Sequence, residues 1–296
     1  MSSLKKRSVL HVNLAVMLFG LAGLFAKWIR LPALTITFGR VLFSSLALGL
    51  FIIVRKQSFR IRQRKDALLL ICAGGILAVH WWSFLTSVQI STVAIGTITF
   101  SAFPLFVTFL EPLIFRQPIR HRNIIYALLI LAGVFITVPA FSAENNMFRG
   151  AVMGLLSALT YAVLAVMNKS FSAKYSGTLT AFYEQSTAAV VLLPFVLRSG
   201  IFPKASDLPL LLVLGVVTTA AAHTLFISGL KQIPAQLAGI CSAMETVYGI
   251  LFAFLFLGEV PSLWEILGGL IIIGTVTAAQ MKDAAESRQY GEGPLL

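Results

Sequence analysis

Long apolar runs alternate with short polar breaks from one end of the chain to the other. The runs cover residues 10–28, 33–54, 67–85, 93–115, 122–140, 148–168, 178–197, 208–229, 235–257 and 264–281. Each is long enough to cross a bilayer as a helix, which takes about 20 mostly apolar residues. The breaks carry turn and stop signals: Arg30-Leu31-Pro32, the basic stretch from Arg55 to Asp66, Arg116-Gln117-Pro118, and Gly258-Glu259-Val260-Pro261. A membrane β-barrel would alternate apolar and polar residues over segments of about ten. The pattern therefore predicts an all-α integral membrane protein with ten transmembrane helices.

Composition agrees. Of 296 residues, 58% are hydrophobic and 11% charged, and the mean hydropathy is +0.90. A soluble domain carries about 25% charged residues. The net charge of +12 would suggest nucleic acid in a soluble chain. Here the basic residues sit in short clusters between apolar runs, which is a topology signal and a contact for anionic lipid, so no nucleic-acid partner is expected. Cys72 and Cys241 lie inside apolar runs and are read as small packing residues. Neither a disulfide framework nor a metal site is expected, and no cofactor. Lys5, Lys6 and Arg7 precede a run with the length of a full span and no small-residue cleavage site. It is read as the first helix, not a cleaved signal. With the N-terminus in the cytoplasm, seventeen Lys and Arg residues fall on cytoplasmic segments and five on external ones. That asymmetry predicts both termini inside.

The chain also resembles itself at a shift of about 142 residues. Lys27 falls on Lys169, Phe84 on Phe226, and Ser87–Ala94 on Gly229–Gln236. Phe182-Tyr183-Glu184 falls on Phe38-Gly39-Arg40 when the shift is two residues longer. The halves are residues 1–145 and 146–285, with a short cytoplasmic tail at 286–296. Five helices is an odd number, so the second half must sit upside down relative to the first. Two inverted five-helix repeats are a recurrent plan of secondary transporters, because halves of opposite orientation can exchange conformations around one central site.

At this point particular residues carry a resemblance. The first helix of each half closes on a lysine, Lys27 and Asn168-Lys169; the second helix holds Thr37-Phe38-Gly39-Arg40. The ninth run ends in Leu257-Gly258-Glu259, and the tenth opens Trp264-Glu265-Ile266-Leu267-Gly268-Gly269. Over residues 10–281 the chain resembles the EamA-type ten-helix class of the drug/metabolite transporter superfamily. It departs from that pattern after the fourth run, where Phe115-Arg116-Gln117 stands in place of a second Leu-Gly-Glu. The resemblance implies a basket of helices around a central cavity, with helices five and ten supporting it at the side. It also implies export of amino acids or related metabolites across a bacterial-type cytoplasmic membrane.

Ionisable side chains at bilayer depth mark candidate sites, since insertion scales charge at least about 2.5 kcal/mol for each. Glu245 lies mid-helix among Gly239, Ser242, Ala243 and Gly249, and suits a substrate ammonium or a coupling proton. Its other reading is a structural partner for Arg40 or a histidine. Arg40 suits a substrate carboxylate, or a helix-locking role. His80 suits proton relay or helix packing, and Trp82, beside Trp81, an interfacial anchor or a stacking wall. Packing is the reading for His223, and a structural role for Glu184 and Glu111. Phe100, Phe103, Phe106, Tyr161, Tyr183 and Tyr248 offer aromatic cavity walls. Pro104 is a candidate hinge. Thr97, Thr99 and Ser101 line a polar path or bond back to their own helix.

No Gly-x-x-x-x-Gly-Lys-Ser/Thr motif is present, so a nucleotide-driven pump is disfavoured. An intramembrane enzyme needs a catalytic set at one depth, and Asp66, Asp207 and Asp283 all fall in breaks or tails. The leading expectation is a secondary transporter of a small solute, with an amino acid or metabolite first and a drug, nucleoside or sugar as the alternative. Its coupling ion is open, a proton being the candidate. Monomer and homodimer are both open.

Overall fold

The structure, a computed structural model, describes residues 3–115, 121–138, 144–172, 174–230 and 235–289. The expected break at Arg116-Gln117-Pro118, residues 231–234 and the tail from residue 290 lie outside the described residues, as do the side chains of Glu111 and Lys169.

Among the described residues every regular element is helical. In order these are α1 (Ser3–Trp28), α2 (Ala33–Val54), α3 (Arg64–Ile90), α4 (Val93–Phe100), α5 (Phe103–Phe115), α6 (His121–Thr137), α7 (Asn146–Ser172), α8 (Gly177–Ser199), α9 (Leu208–Gly215), a π-helical turn (Val216–Ala221), α10 (Ala222–Leu230), α11 (Ala235–Leu257) and α12 (Leu263–Gln289). Six helical stretches are long and apolar enough to cross a membrane: Leu10–Trp28, Ala33–Val54, Arg64–Ile90, Asn146–Asn168, Gly177–Ser199 and Leu208–Phe226. Shorter apolar stretches cover Val93–Val107, Ile124–Thr137, Met244–Leu257 and Leu263–Ala279. Large apolar side chains such as Leu50, Ile53, Val190 and Leu270 face outward. In water such a belt would aggregate; lipid is the solvent that accepts it. The chain is an integral membrane protein.

Three elements differ from the apolar pattern, each for a local reason. Helix α3 runs five residues past the expected end at residue 85. Its polar last turn stays helical because Thr86 Oγ1 donates to the Trp82 carbonyl (2.7 Å), and Ser87 Oγ donates across to Gly150 O (2.6 Å). The fourth run breaks at Ser101-Ala102, just ahead of Pro104. Pro104 has no N–H to return to the preceding turn, and the chain restarts as α5. Upstream, Thr97, Thr99 and Ser101 donate to the carbonyls of Val93, Ile95 and Thr97, so these hydroxyls bond back to their own helix. The eighth run carries the π-helical turn, where Thr219 Oγ1 donates to the Leu214 carbonyl five residues back (2.7 Å).

The Leu257-Gly258-Glu259 ending has a clear physical role. Gly258 adopts φ +68°, the left-handed conformation that closes a helix without Cβ strain. Glu259 then reaches the N-terminus of α4, where its carboxylate accepts from Val93 N–H (2.9 Å) and lies 3.6 Å from Lys27 Nζ. Lys27 also donates to Ser91 O (2.7 Å). Next to it, Ser262 and Glu265 form a capping box at the start of α12: Glu265 Oε2 accepts from Ser262 N (2.7 Å) and Ser262 Oγ from Glu265 N (3.2 Å). The other Glu265 oxygen accepts from Thr92 Oγ1 (2.8 Å), which itself caps α4 through Ile95 N. Glu265→Ala removes both functions. It is expected to cost about 0.5–2 kcal/mol, read as a lower unfolding midpoint of purified protein in detergent.

The principal packing pairs are α3 with α7, α1 with α11, α6 with α12, α2 with α8, α1 with α10, α3 with α8, α4 and α5 with α7, α11 with α12, and α2 with α9. Helices α6 and α12 hold each other through a separate core of Ile98, Ile130, Val134, Ile272 and Val276. At the other end of the molecule, Asp66 accepts from Tyr175 Oη (2.7 Å) and Lys174 Nζ (3.0 Å), tying the start of α3 to the end of α7.

Candidate functional site

The helices converge on a narrow pocket with a cavity volume of about 10 Å³. That is far below the roughly 300 Å³ at which ligand cavities begin, so in this conformation the lining side chains are packed closely on one another. Helix α3 contributes His80, Trp81 and Phe84; Phe19 comes from α1, Phe100 from α4 and Tyr161 from α7. His223 of α10 and Glu245 of α11 complete the lining.

Most of the wall is aromatic. The His80 ring lies 4.9 Å from Tyr161 and 5.4 Å from Phe100 between centroids, and Phe100 lies 5.3 Å from Tyr161 and 5.6 Å from Phe84. His80 Nδ1 sits 3.0 Å from the Ser157 carbonyl and 2.9 Å from its hydroxyl. A carbonyl only accepts, so pairing with it places the proton on Nδ1 and leaves Nε2 as the lone-pair nitrogen. His223 packs against Phe19 at 6.0 Å, and its Nδ1 has no hydrogen-bond partner.

Behind this wall lies Arg40, with no solvent exposure. Its guanidinium carbon is 3.1 Å from the centroid of the Trp81 ring, a cation–π contact. Its Nε donates to Thr219 Oγ1 (2.7 Å). The π-helical turn is what offers that hydroxyl, and Gly215 is what lets it approach. A Cβ on Gly215 would stand 2.8 Å from Arg40 O and 2.7 Å from Phe43 Cβ. Arg40 Nη1 and Nη2 have no acceptor, and neither has Trp81 Nε1. Arg40 and Glu245 act on one another electrostatically across the cavity region. The set thus holds one carboxylate, a guanidinium with two free N–H edges, a further free donor on Trp81, an unpartnered ring nitrogen on His223, and aromatic faces between them.

Of the residues the sequence singles out, Glu245, His80 and Tyr161 meet at this cavity, with Arg40 directly behind Trp81. Trp82 faces away and is 37% exposed. Tyr248 does not line the cavity: it stacks on Phe252 at 6.2 Å, and its Cβ lies against Gly20. Pro104 sits at the α4/α5 break, in the first turn of α5. Phe19, Phe84 and the cavity role of His223 are additions from the structure. The i, i+1, i+4 spacing of His80, Trp81 and Phe84 puts them on one helical face, and that signal is present in the sequence. Accordingly Trp81→Ala is expected to lower solute exchange about tenfold, whereas Trp82→Ala changes it less than about twofold, both read in reconstituted vesicles.

Helices that wrap an aromatic-walled pocket with a few polar groups inside an apolar belt define an integral membrane protein. The EamA-like transporter family profile matches the chain twice, over residues 6–138 and 148–279, and the chain belongs to that family. An uncharacterized transporter of Archaeoglobus fulgidus is 26% identical over 90% of this chain and 94% of its own length. The S-adenosylmethionine uptake transporter of Rickettsia prowazekii is 25% identical over 82% of this chain and 81% of its own. A solved crystal structure superposes with a TM-score of 0.68 at 17% identity, covering 94% of this chain and 98% of that one, which shows the shared fold.

Proposed function

We propose that this protein is a secondary transporter, and not an enzyme, that carries amino acids or amino-acid-derived metabolites across the cytoplasmic membrane by alternating access. The observation that carries this reading is the pairing within one cavity region of a single carboxylate, Glu245, with the free donors of Arg40 and Trp81. A zwitterion matches such a set: its ammonium faces Glu245, and its carboxylate takes the guanidinium edge. The aromatic faces suit an apolar or cationic side group. Amino acids and S-adenosylmethionine share the α-ammonium and α-carboxylate, so the substrate named for the Rickettsia relatives falls in the same chemical class.

The architecture in this reading is ten spans in two inverted halves, residues 1–145 and 146–285, with both termini cytoplasmic. Three observations support it. The family profile matches each half separately. The six long apolar stretches and four shorter ones fall on the ten expected runs. Exchanging the halves also leaves the packing pairs in place: α3–α7 exchanges with α1–α10, α1–α11 with the α4 and α5 contacts to α7, and α3–α8 with α2–α9, while α2–α8 and α6–α12 map onto themselves. Export is the proposed direction, set by the solute gradient and not by the site. The test is exchange of labelled amino acids and of S-adenosylmethionine by purified protein in liposomes, and efflux from preloaded cells. Exchange of one or a few zwitterions is expected. Exchange confined to nucleosides, sugars or amphipathic drugs would replace the substrate assignment.

A further inference from the structure

Two groups of helices meet across the pocket. Helix α1 packs on α10 and α11, while α7 packs on α3, α4 and α5. Phe19 and Glu245 line the pocket from the first group, Trp81 and Phe100 from the second. At one end the two groups are bonded to each other. Lys27, in the last turn of α1, donates to Ser91 O of the turn between α3 and α4 (2.7 Å). Glu259, just past α11, accepts from Val93 N–H at the start of α4 (2.9 Å) and lies 3.6 Å from Lys27 Nζ. Gln89 Nε2 of α3 donates to Ala26 O (3.1 Å) and Leu31 O (2.8 Å), near and just beyond the end of α1. Glu265 of α12 holds the same α3–α4 turn through Thr92 Oγ1 (2.8 Å).

The opposite end is bonded differently. Asp66 accepts from Lys174 and Tyr175, and Arg62 N–H donates to Tyr175 Oη (3.3 Å), which ties α3 to the end of α7, two members of one group. The internal repeat extends the asymmetry. At the shift that sets Lys27 on Lys169, Glu259 falls on Gln117 and Glu265 on Asn123. The lysine recurs, but an amide stands in place of each carboxylate. Thr92 falls on Pro234, which has no hydroxyl, and Gly258 on Arg116.

We propose that Lys27, Glu259 and the α3–α4 turn form a latch on the external gate, and that its one-sidedness makes the empty carrier rest closed to the outside and open toward the cytoplasm. The inference rests on the inverted-repeat and topology reading above, in which these ends of α1, α3 and α11 are external. Alternating access makes the two groups part at one end as they meet at the other. Parting at the external end frees the Lys27 ammonium, the Glu259 carboxylate and the Val93 N–H together. An exposed ion pair contributes little by itself. Here the two side chains are only 24% and 25% exposed, and the carboxylate is also held at a helix N-terminus, whose dipole favours negative charge. Charge-assisted hydrogen bonds of this kind are about twice as strong as neutral ones. Meeting at the cytoplasmic end recovers no such bond to a carboxylate, because the repeat supplies amides at both places. The difference between the two closed ends sets the populations. Solute is then met first from the cytoplasm, while the net direction still follows its gradient.

Spin-label distances across each end test this, on the full-length protein in liposomes without solute. In a Cys72→Ala, Cys241→Ala background, labels enter at exposed positions. Arg30→Cys with Asn146→Cys spans the external ends of α1 and α7, and Leu10→Cys with Ser170→Cys their cytoplasmic ends. Without further change, a short external distance and a long cytoplasmic one are expected to dominate. Glu259→Gln, which leaves the α12 capping box intact, is expected to raise the externally open population about tenfold, with the cytoplasmic distance shortening in step. Lys27→Met should shift both pairs the same way. A population already open externally before either substitution overturns the resting state. Distances unchanged in both variants overturn the latch. So does external widening without cytoplasmic shortening, since a merely structural contact would loosen one end alone. These readings need no solute. Exchange of labelled zwitterions reads the transport proposal by itself, and its absence counts against that reading while the distances still decide the latch.

Discussion

Glu245→Gln is expected to lower exchange of a zwitterionic solute about ten- to a hundredfold, with protein folded and monodisperse. The magnitude follows from losing a charge-assisted hydrogen bond in a water-poor cavity, about 1.5–3 kcal/mol, where each 1.4 kcal/mol is tenfold. The carboxylate is 9% exposed and lines the cavity, so water does little to replace it. Arg40→Leu acts at the other end of the same solute and is expected to give a loss of similar size. The two variants should differ in what they spare. A decarboxylated amine keeps its contact with Glu245 and should be less sensitive to Arg40→Leu. An acid lacking the ammonium should be less sensitive to Glu245→Gln. Arg40 and Glu245 also lie within electrostatic reach of one another, so the two substitutions are not independent. The double variant should therefore fall short of the sum of the two single effects. Competition assays with the two truncated solutes check the assignment, and equal loss for both would remove the zwitterion geometry.

Gly154→Leu is expected to be the most disruptive substitution away from the cavity. Helix α7 presents Gly150 and Gly154, one turn apart, to the polar end of α3 and to α4. A Cβ on Gly154 would collide with the Thr99 hydroxyl and stand 3.0 Å from Thr99 Cβ and 3.2 Å from Ser87 Oγ. Ser87 cannot swing away freely, because its hydroxyl donates to Gly150 O at 2.6 Å. In lipid, close backbone approach of this kind is a main source of helix association. Overpacking costs about 1–3 kcal/mol where side chains can shift, and here the neighbours are short and hydrogen-bonded. We expect Gly154→Leu to lose the folded state in detergent or to lower its unfolding midpoint sharply. Gly75→Ala, whose Cβ meets nothing within 4 Å, serves as the control. It is expected to be neutral or to stabilise by about 0.5–1 kcal/mol, since alanine restricts the unfolded chain. A similar fall in both would show that the α3–α7 approach does not depend on those glycines.

Some of the site was legible before any coordinates. Glu245, His80 and Arg40 stand out because a charge or imidazole deep in an apolar run is costly and therefore rare, and that cost is a property of the local sequence. Choosing between Trp81 and Trp82 was a different matter. The two are adjacent, and only the rotation of α3 about its axis, set by its packing on α7 and α8, turns Trp81 inward and leaves Trp82 outward. His223 looked like packing because its neighbours Ala220, Ala221 and Ala222 are small. It reaches the cavity because the eighth run passes through a π-helical turn, a change of phase that apolar periodicity does not reveal. Likewise, Tyr248 is as aromatic as Tyr161, yet it stacks on Phe252 of its own helix.

By itself, the sequence determined the solvent, the spans, and the short list of polar side chains that must be satisfied in a membrane. Those quantities are sums of transfer costs over neighbouring residues, and they do not depend on what the chain folds against. Tertiary structure alone decided which members of that list meet. Glu245 came within electrostatic reach of a guanidinium, whereas neither Glu184 oxygen gained a hydrogen-bond partner, although both are glutamates within apolar runs. The physical reason is that helix rotation and tilt are set by long-range packing of small residues, Gly215 against Arg40 O and Gly74 against Glu184 O. Such contacts join positions more than a hundred residues apart.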